Sequence, residues 1–183
     1  MQRKIALACM ALSFVFGTVR AGAPMGGLPP WQFQMTPKQV ISFTDYGPYQ
    51  AFSNGDLETY AGLFHGHKEN IQFFFRDGKL VRIGIYLYEG RDVKAAADKW
   101  AQAYAALSAN FGAMALRGLP SGAERSADTI AAAASSAVTA GGKPQMAPLA
   151  QPPDKFVFAS FRSSRIQEHT FYYVVVYYDP PHR

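Results

Sequence analysis

The alternation of apolar and polar residues is most regular between residues 71 and 89. Two runs, 71–76 and 79–89, flank Asp77 and Gly78, the dipeptide that favours a two-residue type I′ turn. The pattern therefore predicts an antiparallel β-hairpin. Alternate residues of the second run fall on opposite faces of the strand. One face is aliphatic and the other carries two tyrosines: Val81, Ile83, Ile85 and Leu87 against Arg82, Gly84, Tyr86 and Tyr88.

Two further elements are predicted before the hairpin. Thr36 supplies a capping hydroxyl and Pro37 suits the first helical position, so a short helix is predicted over residues 37–43. Residues 58–67 have the composition of a strand. The polar stretch 68–70 is then predicted to form the turn that leads into the hairpin.

A long amphipathic helix is predicted over residues 91–111. Its apolar residues recur at spacings of three and four, which places them on one helical stripe, and Gly112 is a suitable C-terminal stop. This stripe is expected to cover the aliphatic face of the hairpin, with Trp100 as a core anchor. Its members are Val93, Ala96, Ala97, Trp100, Tyr104, Leu107 and Phe111.

Two runs rich in aromatic and β-branched residues, 156–161 and 169–178, predict two more strands joined by a turn over 162–168. Neither face of the last run is polar. We therefore expect this strand to be central and buried on both faces, or buried on one face and used for binding on the other. The sequence leaves its pairing partners open.

Residues 113–153 are rich in Ala, Ser, Gly and Pro. They show no evident amphipathic stripe, so we expect a low-complexity, mobile excursion that is helical at most in part. The remaining elements follow the order α-β-β-β-α-β-β. They predict a single α+β domain over residues 24–183, a two-layer sandwich in which an antiparallel sheet of about five strands carries one long helix on one face.

An export signal is predicted over residues 1–23. Arg3 and Lys4 precede an apolar run, and small residues follow it, which is the layout of a secretory signal peptide. The run is shorter than the roughly 20 residues of a stable membrane anchor, so a periplasmic or secreted location is predicted. Cys9, the only cysteine, lies inside this run. The mature chain would therefore lack thiol nucleophiles, cysteine-bound metals and disulfides, and no cofactor is predicted.

The formal net charge of +5 suggests a nucleic-acid partner only if the charge is concentrated in one patch. Three of the 18 basic residues, Arg3, Lys4 and Arg20, belong to the predicted signal, so cleavage leaves 15 basic residues against 13 acidic ones. The remaining basic residues are scattered singly along the chain. Nucleic acid is therefore not predicted as a partner.

Two stretches resemble a known module. "MTPKQV" begins at Met35, and "FFFRDGKLVRI" begins at Phe73. Together they are similar to the SmpA/OmlA-type outer-membrane assembly lipoproteins, whose modules read Gly-Met-Thr-x-x-x-Val, then a strand, then Phe-x-x-Gly-x-Leu-x-x-Ile. The outline also resembles small exported bacterial envelope proteins. This resemblance implies a small envelope protein that binds a partner, although Gln34 stands where the module has glycine and no lipidation motif occurs.

One candidate metal site is spaced along the first long strand. His65, His67 and Glu69 are two residues apart, so on a continuous strand they would share one face and could ligate zinc or another transition metal. A metal-dependent hydrolase built on them is the alternative function; the other interpretation is that they are solvated residues near a turn. The sequence contains no nucleophile elbow, phosphate loop or dinucleotide-binding glycine pattern, and no catalytic residue is assigned.

Aromatic residues of the predicted strands form the remaining candidate site. Rings on neighbouring strands stabilise a sheet, and they are also enriched at interfaces, so both interpretations stay open. From the second we hypothesise an exported, non-catalytic module that binds an envelope protein or peptide. The residues assigned to an aromatic ladder on the face away from the long helix are Tyr60, Phe74, Tyr86, Tyr88, Tyr172 and Tyr178.

Overall fold

The computed structural model describes residues 26–118 and 126–181. The predicted export signal lies outside these residues, so it stays a prediction. A 3-10 turn over Thr44–Tyr46 follows the first helix. The other elements, in chain order, are β1 (Gly27–Leu28), β2 (Trp31–Gln32), α1 (Pro37–Ile41), β3 (Tyr49–Ala51), β4 (Leu57–Phe64), β5 (His67–Arg76), β6 (Lys79–Gly90), α2 (Val93–Phe111), β7 (Met114–Arg117), α3 (Ala127–Thr139), β8 (Gln145–Pro148), β9 (Phe156–Ile166) and β10 (His169–Asp179).

The described residues form an antiparallel sheet of eight strands in the order β3-β4-β5-β6-β10-β9-β8-β7, and β1 and β2 pair separately. The predicted α+β class is confirmed, but the sheet is larger than the predicted five strands. The additional strands β3, β7 and β8 have only three or four residues each. Helix α2 packs against β6 and β10, and α3 packs against α2 and β9. None of the described helices has the length and apolarity needed to cross a membrane.

The predicted hairpin is confirmed. Asp77 and Gly78 have positive φ angles of 51° and 68°, as a type I′ turn requires, and Arg76 pairs with Lys79 across it. The last strand, β10, is central as predicted, because it lies between β6 and β9. The turn before it is shorter than the predicted 162–168, since β9 continues to Ile166 and pairs there with His169.

Helix α2 matches its prediction. The Asp92 carboxylate accepts hydrogen bonds from the backbone N–H groups of Lys94 and Ala95 at 2.8 and 3.1 Å, and Gly112 ends the helix at a positive φ. Trp100 is fully buried and its ring packs 6.0 Å from that of Phe161, centroid to centroid. The predicted core anchor is therefore confirmed.

The stretch predicted as an excursion, 113–153, contributes β7, α3 and β8 to the fold, while residues 119–125 lie outside the described residues. The expectation that it lacks a docking stripe is wrong. Ile130, Ala134 and Val138 recur every fourth residue and are buried against the core. Because the middle residue of this stripe is alanine, the pattern is inconspicuous in an alanine-rich segment.

The two stretches that carry the sequence resemblance meet in space. The Gln34 N–H donates to the Leu80 carbonyl at 2.9 Å, and the Leu80 N–H donates to the Met35 carbonyl at 2.8 Å. Gln34 has a φ of 71°, the left-handed region that glycine adopts most readily and where the resembled module has glycine. Thr36 caps α1 as predicted. In this chain both stretches therefore have a structural role, which fixes α1 beside the β5–β6 hairpin.

Candidate functional site

The predicted metal-ligand set does not form. The chain turns at His65 and Gly66, which have φ angles of 48° and 80°, so residues 68–70 lie inside β5 and the turn predicted there is wrong. His65 therefore does not continue the strand that carries His67 and Glu69. In the described part of the chain, no three His, Cys, Asp or Glu residues are placed to hold a metal ion. Polar residues at a strand end and in a turn look alike in sequence, which explains the error.

His65, His67 and Glu69 nevertheless line one groove of about 590 Å³, between the β4–β5 turn and helix α2. Partial burial raises the pKa of the Glu69 carboxyl group, and the proximity of Lys99 and His67 opposes this rise. Lys99 belongs to α2, so the attraction between Lys99 and Glu69 connects the helix to the hairpin.

A second apolar cluster lies on the sheet face opposite α2 and α3, which we call the open face. Its buried members are Tyr86, Tyr173, Val175 and Tyr177. Half-buried rings pack against them from three strands: Phe74, Phe158 and Phe171. We call these seven residues the open-face cluster. All of them belong to β5, β6, β9 and β10, so no residue of a described helix contributes to it.

The rings of the open-face cluster are packed in defined orientations. Tyr86 and Tyr173 meet edge to face, with ring centroids 6.5 Å apart and an interplanar angle of 84°. Phe158 and Tyr177 are stacked, with centroids 4.9 Å apart and an angle of 23°. Both arrangements are favoured geometries for aromatic pairs. The open face therefore carries a packed aromatic cluster with half-buried rings at its edge.

Only part of the predicted aromatic ladder lies on this face. Phe74 and Tyr86 belong to the open-face cluster, and Tyr60 on β4 is 58% exposed. The predicted placement is wrong for the other three residues, because they pack with the helix-side core: Tyr88, Tyr172 and Tyr178.

The error has two physical causes. The pairing of β6 with β10 skips Leu87, since Val174 is opposite Tyr88 and Val175 is opposite Tyr86. This β-bulge turns Tyr88 towards α2, where its hydroxyl oxygen accepts a hydrogen bond from the Asp92 N–H at 3.0 Å. On β10 both faces are apolar, so alternation alone could not show which set of tyrosines points towards the helices.

The sequence prediction also missed two arginines on the open face. The Arg162 guanidinium lies 4.6 Å from the Tyr173 ring centroid, and Arg82 lies 5.1 Å from that of Tyr177. Both distances allow a cation–π interaction. Arg82 also donates hydrogen bonds to both carboxylate oxygens of Asp179 at 2.7 Å. The sequence contained one signal for such contacts between rings and cations, because the alternation in the hairpin places Arg82 on the same strand face as Tyr86.

The Tyr86 hydroxyl group stays protonated at physiological pH. Burial, helped by neighbouring Tyr177, raises the pKa of Tyr86 to about 12, although Arg162 opposes the rise. The Tyr86 hydroxyl is therefore a hydrogen-bond donor under physiological conditions. The arrangement as a whole offers rings, guanidinium groups and a phenol, which suit recognition rather than bond breaking.

Asn70 is the polar exception next to the cluster. It pairs in register with Tyr86, is buried, and neither its side-chain nitrogen nor its oxygen has a hydrogen-bond partner in the structure. Because an unsatisfied buried amide costs about 1–3 kcal/mol, Asn70→Leu is expected to raise the free energy of unfolding by about 1 kcal/mol in urea denaturation. A loss of stability in Asn70→Leu would show that the amide is satisfied in solution.

Comparison with known protein families, characterised proteins and solved structures finds no match to this chain.

Proposed function

We propose that this chain is an exported, non-catalytic module of the cell envelope that binds a protein or peptide partner through its open face. The observation that carries the proposal is the open-face cluster, an aromatic surface that no described helix covers. Antiparallel sheets commonly pack one face on the core and leave the other in water, where polar residues are expected. An aromatic face in this position is instead typical of a surface that binds a partner.

The composition of this face supports the proposal. Tyrosine, phenylalanine and arginine are enriched where proteins meet, and all three types occur together here. Tyr173 packs between neighbours and is only 8% exposed, so the accessible ring surface belongs to the half-buried Phe74, Phe158 and Phe171. We infer that the tyrosines hold the surface rigid while the phenylalanines contact the partner. Tyr60 on β4 and Ile166 on β9 are exposed as well.

Crosslinking from a defined position tests this proposal. A photoactivatable benzoylphenylalanine replaces Phe171 in the full chain, which is expressed in its natural cells and irradiated. We expect a discrete covalent adduct with an envelope protein or peptide. Arg162→Glu is expected to reduce its yield about tenfold, because losing one central contact of about 1.4 kcal/mol has this effect.

The matched control places the same group at Ala105, an exposed position on α2. It should give no such adduct. Circular dichroism of Arg162→Glu must match that of the unsubstituted chain, so that a lost adduct reports on the surface rather than on folding. If position 171 gives no adduct, or if Arg162→Glu leaves the yield unchanged, the proposed binding face is wrong.

The alternative of a metal-dependent hydrolase finds no specific support. The turn at His65 and Gly66 removes the continuous strand that it required, and among the described residues no three His, Cys, Asp or Glu side chains are placed to hold a metal ion. We therefore do not propose it.

A further inference from the structure

A cavity of about 550 Å³ lies on the open face where β7 and β8 meet β9 and β10. Cavities of this size hold small organic ligands in proteins. Ala115 and Ala147 line it and are directly paired across β7 and β8. Because each has only a methyl group, the space between the larger neighbouring side chains stays unfilled.

Arg117 supplies positive charge on one side of this cavity. It pairs in register with Gln145, which also lines the cavity and is exposed. In the described ranges, no carboxylate forms an ion pair with Arg117. Its guanidinium group can therefore donate hydrogen bonds to an anion that enters the cavity.

The other two charged residues that line the cavity form an ion pair with each other. Arg82 lies 5.5 Å from the Phe158 ring centroid and uses Nε and Nη2 to bind both oxygens of the buried Asp179. The charges of Arg82 and Asp179 therefore offset each other. Phe158 therefore contributes apolar lining, and Arg117 contributes the positive charge that no described carboxylate offsets.

We propose that this cavity binds an apolar group that ends in a carboxylate. The carboxylate accepts hydrogen bonds from Arg117, whose planar guanidinium matches its geometry, and the apolar body lies on Phe158 and above the two alanines. Such a carboxylate is either a free carboxylic acid or the carboxyl terminus of a peptide. Phe158 belongs to both the open-face cluster and the cavity, but Arg117, Ala115 and Ala147, on which this inference depends, lie outside the cluster.

Titration of the purified, ¹⁵N-labelled chain with hexanoate, followed by NMR, tests the inference. We expect a dissociation constant on the order of 1 mM, typical of a ligand this small, with amide shifts centred on Ala115 and Ala147. Arg117→Gln should weaken binding about tenfold or more, since it removes a charge-assisted hydrogen bond. Ala147→Phe should abolish binding by filling the cavity. Arg165→Gln, at an exposed arginine on β9 outside the cavity, should leave binding unchanged.

Two further ligands sharpen the test. N-acetylglycyl-phenylalanine distinguishes the two sources of the carboxylate. If it binds more tightly than hexanoate and Gln145→Ala removes this advantage, the ligand is a peptide terminus. If the two compounds bind with equal affinity, the ligand is a free acid. Hexanamide should not bind. Hexanamide binding as tightly as hexanoate, inorganic phosphate binding as tightly as hexanoate, or an unchanged affinity in Arg117→Gln would each overturn the inference. None of these outcomes bears on crosslinking from position 171.

Discussion

Trp100→Ala is expected to lower the free energy of unfolding by about 3–5 kcal/mol, the cost of removing a large buried ring from a core. Trp100 is fully buried between α2 and the sheet, and it packs against Phe161. Since single domains are stable by only about 5–15 kcal/mol, this one change removes a large part of the stability. Urea denaturation followed by far-ultraviolet circular dichroism measures the loss.

The two tryptophans allow a matched comparison by phenylalanine substitution. The Trp100 indole N–H has no hydrogen-bond partner in the structure, whereas that of Trp31 donates to the Tyr49 hydroxyl at 3.2 Å. Trp31→Phe is therefore expected to cost about 1 kcal/mol more than Trp100→Phe. If the free energy of unfolding of Trp100→Ala is within about 1 kcal/mol of that of the unsubstituted chain, this result would contradict the packing of α2 described above.

Alkaline pH is expected to destabilise the chain steeply between pH 10 and 12. Burial raises the pKa values of Tyr86 and Tyr178 to about 12, above the ordinary 10.0 that applies in the unfolded chain. The folded state therefore keeps two protons that the unfolded state releases in this range. The contribution of each tyrosine to the free energy of unfolding is fully present below pH 10. It falls by about 2–3 kcal/mol for each tyrosine as the pH rises to 12.

The substitutions Tyr86→Phe and Tyr178→Phe separate these contributions. Each removes one titrating hydroxyl, so each should flatten the fall in unfolding free energy between pH 10 and 12. Each variant serves as its own reference at pH 8, where both phenols are protonated in the folded and unfolded states. Curves for the variants that run parallel to that of the unsubstituted chain up to pH 12 would show that neither hydroxyl is buried as described.

Local chemistry made the best-defined parts of the fold predictable. The Asp77-Gly78 turn and the stripe of α2 depend on residues close in sequence, so the hairpin and the long helix could be placed before the structure was known. The strands β3, β7 and β8 could not, because pairs of three or four residues form only where a neighbouring strand already offers an edge. Helix α3 was missed because its docking stripe is built partly from alanine.

The candidate site was predictable in character but only partly in position. An aromatic sheet face followed from the alternation in β6, and Phe74 and Tyr86 do lie on it. The bulge at Leu87 turns the Tyr88 side chain to the other face of the sheet, and no local sequence pattern predicts this bulge. For β10, the side that faces the helices depends on its pairing with both β6 and β9, which is a long-range property. Arg162 was missed for the same reason.

The yield of crosslinks from Phe171 relative to that from Ala105, measured in living cells, tests the central claim most directly. These two positions lie on opposite sides of the molecule, one in the open-face cluster and the other on the exposed surface of α2. We expect one discrete adduct from the open face and none from the helix. Equal yields from both positions, or an adduct only from Ala105, would contradict this claim.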